Sequence, residues 1–189
     1  SGTVVHVVWR DTRSGMGTQV HYKRSPDNGL TWGSDTSLTY AGASTPFISA
    51  DGSLIGIVWE DFRYENNEIY FKRSTNNGIT WQTETRLTNN INISEDPNIK
   101  VSGLNVHLVW CDNRDGNKEI YYKFSSDGGL IWGTDVKLTN DPSESTSPRV
   151  STYGTTIHIT WSEHNNYGTE IYYKRSTDLG VTWGANTRL

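Results

Sequence analysis

The chain has 189 residues with 17 Lys and Arg against 21 Asp and Glu, a formal net charge of -4, so no basic excess exists to neutralise a nucleic-acid backbone or dock on an anionic membrane. Hydrophobic residues make up only 33%, yet 8 Trp and 10 Tyr stand beside 1 Met, with Ser, Thr, Asn and Gly between them, which is the composition of short strands and tight turns. The single cysteine, Cys111, excludes an intrachain disulfide, and the longest apolar runs, Val4 to Trp9 and Leu54 to Trp59, are too short to cross a bilayer.

In chain order, the first element is the apolar run ending at Trp9, followed by Asp11, Arg13 and a polar loop. A strand rich in aromatic and β-branched residues comes next, then the octapeptide Ser25-Pro-Asp-Asn-Gly-Leu-Thr-Trp32 and a segment closing on Leu38. A stretch with proline and alternating apolar residues, Thr45-Pro-Phe-Ile-Ser49, opens the next round, which runs through Trp59, Asp61, Arg63, Glu68-Ile-Tyr-Phe-Lys-Arg73 and Ser74 to Trp81. The third round contains Asp96-Pro-Asn-Ile-Lys-Val101, Trp110, Asp112, Arg114 and Ser125 to Trp132; the fourth contains Ser147-Pro-Arg-Val-Ser151, Trp161, Glu163, Asn165 and Ser176 to Trp183.

The eight tryptophans therefore form two series, Trp9, Trp59, Trp110, Trp161 and Trp32, Trp81, Trp132, Trp183, each with a period of 49 to 51 residues. Four short antiparallel strands in every period, separated by turn signals, make an all-β chain built as propeller blades, with units of about 1–40, 41–90, 91–141 and 142–189. No segment carries an apolar stripe at a spacing of 3.6 residues, so no helix is expected. The first unit lacks the proline-containing strand that opens the others, and fifteen strands are expected. An unpaired inner edge must be covered. Two expectations follow: the chain is a portion of a larger propeller, or copies associate as a homo-oligomer to complete the ring.

Within the octapeptide, Ser and Asp oxygens can accept bonds from turn amides, Gly takes positive φ, and the closing Trp packs in the core. The structural set is Ser25, Asp27, Gly29, Trp32; Ser74, Asn76, Gly78, Trp81; Ser125, Asp127, Gly129, Trp132; and Ser176, Asp178, Gly180, Trp183. Asn76 keeps the acceptor oxygen and drops the charge, which suits a turn better than a metal ligand or catalyst.

Ser-x-Asp-x-Gly-x-x-Trp resembles the Asp-box, and the four copies are similar to the bacterial neuraminidase repeats of the sialidase superfamily of β-propellers. The resemblance covers essentially the whole chain. It implies a secreted or cell-surface protein whose working face lies opposite the Asp-boxes. For an enzyme of the family it implies a retaining glycosidase with a tyrosine nucleophile, a carboxylate partner, an aspartic acid/base and three arginines on the sialate carboxylate. The Arg-Ile-Pro segment of such enzymes is missing; Pro148-Arg149-Val150 has its proline on the wrong side.

Strand parity sends the recurring Trp-x-Asp/Glu-x-Arg/Asn element to that opposite face. The candidate ligand-binding residues are Asp11, Arg13, Glu60, Asp61, Arg63, Asp112, Arg114, Glu163 and His164. Carboxylate and guanidinium two residues apart suit a glycan hydroxyl or a carboxylate substrate, and suit an ion pair within one blade equally well. No catalytic residue is assigned, because a reactive centre gathers different groups at one point, whereas these groups recur with the blades. Tyr70, Tyr121 and Tyr172 share one repeated position with His21, so none stands out as a nucleophile.

His6, His107 and His158 lie three residues before their Trp, with Gly56 as the fourth member, and read as packed strand residues rather than metal ligands. Cys111 reads as a small strand residue. An EF-hand frame on Asp115-Gly116 would put Cys111 and Tyr122 at the terminal ligand positions and fails. No cofactor or metal is expected, a structural Ca²⁺ in that Asp-rich loop being the one exception left open. The reading favours a non-catalytic module that binds glycan or protein, against a segment of a sialidase-type glycoside hydrolase or a structural repeat array that self-assembles.

Overall fold

A computed structural model of the chain describes residues 2–13, 15–165 and 168–189. Fifteen strands form four antiparallel sheets, and no helix occurs among the described residues. Sheet 1 has three strands, β1 (Val5–Asp11), β2 (Gln19–Ser25) and β3 (Thr36–Ser37). Sheet 2 has four, β4 (Ala43–Asp51), β5 (Leu54–Asp61), β6 (Glu68–Ser74) and β7 (Thr85–Arg86). Sheet 3 follows with β8 (Ser94–Ser102), β9 (Asn105–Asp112), β10 (Glu119–Ser125) and β11 (Val136–Lys137). Sheet 4 holds β12 (Glu144–Tyr153), β13 (Thr156–Asn165), β14 (Gly168–Ser176) and β15 (Thr187–Arg188).

Each sheet is a meander in which sequence neighbours pair, and consecutive sheets stack face to face through their inner strands. No comparable contact joins sheet 1 to sheet 4 among the described residues. Three seams result, each with its own core. Val20, Tyr22 and Leu38 of sheet 1 meet Ile55, Ile57 and Trp59 of sheet 2. Ile69, Phe71 and Leu87 then meet Val101, Leu108 and Trp110, and Ile120, Tyr122 and Leu138 meet Val150, Ile159 and Trp161. Strand β5 is buried along its whole length because it has a neighbour on both faces.

Every four-stranded sheet bulges at one place on its inner strand, between Ser44 and Phe47, Glu95 and Asn98, or Thr146 and Arg149. Thr45, Asp96 and Ser147 take positive φ there (48°, 52° and 52°), each just before a proline that has no N–H to lend a ladder.

The octapeptides close the hairpins by local bonds. Ser25 Oγ donates to Asp27 Oδ1 at 2.8 Å and accepts from Gly29 N at 2.8 Å, while Thr31 N donates to Asp27 Oδ1 at 2.8 Å. The other three copies repeat the pattern, and Asn76 Oδ1 accepts from Ser74 Oγ and Thr80 N at 2.9 Å each. One expectation needs correction. The closing tryptophans are not fully buried: Trp81, Trp132 and Trp183 pack half-buried against the three cores, and Trp32 is exposed.

Candidate functional site

The loops from β5 to β6 and from β7 to β8 lie at one end of sheet 2, opposite the octapeptide, and their counterparts do so in sheet 3. Side-chain amides stitch them: Asn66 Nδ2 donates to the carbonyls of Asn90 and Asn92 (2.9 and 2.7 Å), and Asn117 Nδ2 to those of Asp141 and Ser143 (2.8 and 2.9 Å).

The Trp-x-Asp-x-Arg element forms one unit within each sheet. The indole N–H of Trp9, Trp59 and Trp110 donates to Asp11, Asp61 and Asp112 at 2.9, 3.1 and 3.0 Å. The amides of Arg13, Arg63 and Arg114 donate to the same carboxylates at 2.9, 3.1 and 2.9 Å. Each guanidinium also pairs with its aspartate and with a second acid on the following segment, Asp35, Glu84 or Asp135. Backbone and indole donors hold the Asp11 carboxyl well below the usual range. The paired carboxylates push Arg63 and Arg114 up, and these two also stack over Tyr70 and Tyr121 at 4.6 and 4.5 Å. Asp61 and Asp112 have wholly buried side chains. Among the described residues no ion pair joins one sheet's element to another's.

In sheet 4 the unit is incomplete. Glu163 Oε2 accepts from Trp161 Nε1 at 2.9 Å and Ser145 Oγ at 2.8 Å, but its buried Oε1 has no hydrogen-bond partner among the described residues, and Asn165 stands where the arginines stand elsewhere. His164 lies outside this unit, exposed between Thr146 and Thr169 hydroxyls at 2.7 and 3.0 Å.

Glu60 and Cys111 share one repeat position and one use. Glu60 Oε1 accepts from Asp96 N of the next sheet at 2.7 Å, and Cys111 Sγ reaches the Ser145 carbonyl of the next sheet at 3.3 Å. Burial pushes both the Glu60 carboxyl and the Cys111 thiol up. The strand histidines bond tyrosine hydroxyls: His6 to Tyr22, His107 to Tyr122 and His158 to Tyr173, at 2.7, 2.8 and 2.7 Å. Among the described residues, no three His, Cys, Asp or Glu side chains gather as a metal cage.

Residues that the charge-based reading passed over are Tyr40, Phe62 and Tyr64, exposed by 80%, 58% and 61%. Each breaks the repeat: Phe62 stands where the other sheets have Thr12, Asn113 and His164, Tyr64 where sheet 3 has Asp115, and Tyr40 where Asn89 and Asn140 follow. Phe62 N donates to Gly42 O at 3.0 Å, joining the loop of Phe62 and Tyr64 to that of Tyr40. Between sheets 1 and 2 an open cleft of about 540 Å³ is lined by Tyr40, Arg63, Lys72, Trp81 and Glu84. Aligning the four copies and asking which loop residues turn aromatic in one alone would have found this set.

No family model matches the sequence, and a search among curated proteins found no match. Solved structures do share its architecture. The sialidase of Trypanosoma rangeli in complex with the inhibitor DANA superposes with a TM-score of 0.66 at 13% identity, over 96% of this chain and 36% of that one. An α-L-arabinofuranosidase from Fusarium graminearum gives 0.67 at 14% identity, over 98% of this chain and 63% of that one. A protein of unknown function from Dyadobacter fermentans gives 0.73 at 14%, over 98% and 65%. The fold is that of the sialidase-like β-propellers. The chain spans between about a third and two thirds of these neighbours' lengths, and the sheets described above are blades of that type.

Proposed function

We propose that this chain is a non-catalytic, sialidase-like propeller module that acts outside the cell and binds a glycan through the face opposite the octapeptide turns. The binding surface is the pair of loops that carry Tyr40 and Phe62 with Tyr64, joined by the bond from Phe62 N to Gly42 O; of these rings Tyr40 also lines the cleft with Arg63, Lys72 and Glu84. The observation that carries this reading is the exposure of three aromatic rings where the repeat otherwise writes small or polar residues. Flat apolar rings beside charged hydrogen-bonding groups suit a sugar, whose ring presents C–H faces and peripheral hydroxyls.

The way the carboxylates and arginines are used supports the non-catalytic reading. Arg13, Arg63 and Arg114 each serve two acids of their own blade, so none is free to converge with the others on a substrate carboxylate. The test is a glycan array followed by titration of the best ligand. Phe62→Asn with Tyr64→Asp, which copies blade 3 into blade 2, should weaken binding by roughly tenfold or more while leaving the melting temperature nearly unchanged. Turnover of a fluorogenic sialoside by the wild-type chain would defeat the reading.

A further inference from the structure

Strands β2, β6, β10 and β14 carry a lysine at one repeat position: Lys23, Lys72, Lys123 and Lys174. In the blades on either side of blade 2 the ammonium meets an aspartate of its own blade. Lys23 Nζ lies 2.9 Å from Asp35 Oδ1 and Lys123 Nζ 2.9 Å from Asp135 Oδ1, and the other oxygen of each aspartate takes Arg13 or Arg114 at 2.7 Å. One carboxylate thus serves two cations.

Blade 2 breaks that arrangement. Glu84 stands at the aspartate position and is held by Arg63, and Lys72 forms no ion pair among the described residues. Lys72 Nζ donates to Leu38 O at 2.8 Å, which uses one of its three N–H groups. Burial lowers the Lys72 ammonium from the usual lysine range. In blade 4 the aspartate and arginine positions both change, to Asn186 and Asn165, whereas blade 2 keeps its arginine and its acid and still leaves the lysine unmatched.

Lys72 also stands mid-way along a groove. A second cleft of about 410 Å³ adjoins the one of about 540 Å³ between blades 1 and 2, and Ser37, Leu38, Tyr40 and Lys72 line both. Trp81 and Gln82 line the first alone, and Met16 and Gln19 the second alone.

We infer that this groove holds an acidic polysaccharide, with Lys72 pairing with a carboxylate or sulfate on an internal sugar of the chain; the inference rests on the glycan reading above. The anion supplies the counter-charge that Asp35 and Asp135 supply in the neighbouring blades, and the N–H groups of Lys72 not spent on Leu38 O donate to it. Arg63 is already held by Asp61 and Glu84, so the lysine is the cation that selects the charge. Groove on both sides of Lys72 seats further sugars on both sides of the charged one, and the exposed Tyr40 ring offers one of them an apolar face.

Calorimetric titration of the full chain near physiological ionic strength tests this. The probes are polygalacturonate for the carboxylate, dextran sulfate for the sulfate, and methyl-esterified polygalacturonate and dextran as their uncharged counterparts. One acidic chain should bind roughly tenfold or more tightly than its uncharged counterpart, and which one does so identifies the anion. Lys72→Gln should remove that preference and Lys72→Arg should keep it. Glu84→Asp writes the aspartate of blades 1 and 3 into blade 2; it should give Lys72 a partner within the protein and weaken acidic binding while the melting temperature holds. Lys123→Gln, at the counterpart in blade 3, should leave binding unchanged, and near-ultraviolet circular dichroism checks that every variant stays folded. Equal binding of acidic and uncharged chains, or acidic binding indifferent to Lys72→Gln, would overturn the inference and leave the glycan reading standing. Galacturonic acid or glucose sulfate binding as tightly as its polymer would overturn the internal placement. Binding of none of the four chains overturns the inference, and a glycan array without a ligand overturns the reading beneath it.

Discussion

Blades 2 and 3 are the two that have a neighbour on each side, and they share strand lengths and register almost residue for residue. Among the differences between them, two are unlike in kind. In the seam, blade 3 pairs His107 with the Tyr122 hydroxyl, whereas blade 2 has Gly56 and Phe71. The second change matches the first: phenylalanine offers no hydroxyl, so the histidine goes too, and a Cβ at Gly56 would lie 3.0 Å from Phe71 and 2.8 Å from Ile99. On the loop, Phe62, Tyr64 and Glu65 replace Asn113, Asp115 and Gly116; Arg86 lies over the Tyr64 ring at 5.4 Å where Lys137 pairs with Asp115, and both new rings stay largely exposed. A departure from the repeat that the fold itself absorbs is packing. One that the fold leaves in solvent is where the proposed ligand would bind.

The largest expected effect breaks the part the blades have in common. Trp59 and Trp110 are fully buried and each donates its indole N–H to a buried aspartate. Trp59→Ala and Trp110→Ala should each cost about 3–5 kcal/mol in denaturant unfolding, from cavity and lost donor together. Trp9→Ala should cost much less, since Trp9 is only half-buried. Equal losses at all three positions would mean that the seams do not carry the stability.

The next effect separates blade 3 from blade 2. Burial lowers His107 from 6.5 to about 4, so the folded protein holds it neutral while the unfolded chain takes up a proton. Its contribution is complete above pH 6.5 and is lost as pH falls toward 4, an effect of about 3 kcal/mol by linkage. Urea unfolding across that window should show stability dropping with pH. In the variant His107→Gly with Tyr122→Phe, which installs the blade 2 pair, this component of the slope should vanish even though the added glycine lowers stability at every pH. An unchanged slope would assign the pH dependence to other groups. The octapeptide carboxylates act lower: hydrogen bonds from Thr182 bring Asp178 down to about 2, so its contribution fades between pH 3.8 and 2.

These contrasts also mark what could be read without coordinates. The octapeptide bonds were legible because they close within five residues, so Ser25, Asp27 and Gly29 needed no tertiary knowledge. The strand count and the short first sheet followed from spacing alone. The Asp–Arg pairs were left between ligand site and ion pair, and only the depth of Asp61 and Asp112 shows that their oxygens are occupied. The His–Tyr bond was hidden for a different reason. Its trace, Gly56 beside Phe71, was in the sequence, but the partners are 15 or 16 residues apart and face each other only through strand register. The closing tryptophans were placed too deep because a large apolar side chain was equated with a core, whereas a seam between flat sheets has a half-open outer edge. Tyr40, Phe62 and Tyr64 escaped because the search for chemistry followed charge, while the loop had changed in shape and apolarity.

The smallest effect separates the loop's strain from its use. Glu65 takes a φ of 79° at the place where blades 1 and 3 have Gly15 at 70° and Gly116 at 115°. A side chain in that region costs about 1–2 kcal/mol, partly offset by the greater chain entropy that a glycine would lose on folding. Glu65→Gly should therefore stabilise the protein by about 0.5–1 kcal/mol, a rise of about 1–4 °C in melting temperature for a chain of this size. If the strain holds Phe62 and Tyr64 at the rim in a fixed pose, the same variant binds its glycan more weakly although it melts higher, because the ordering must then be supplied on binding. A variant that melts higher and binds equally well would show the positive φ to be a tolerated accident. One that melts lower would show that the Glu65 side chain makes contacts worth more than its strain.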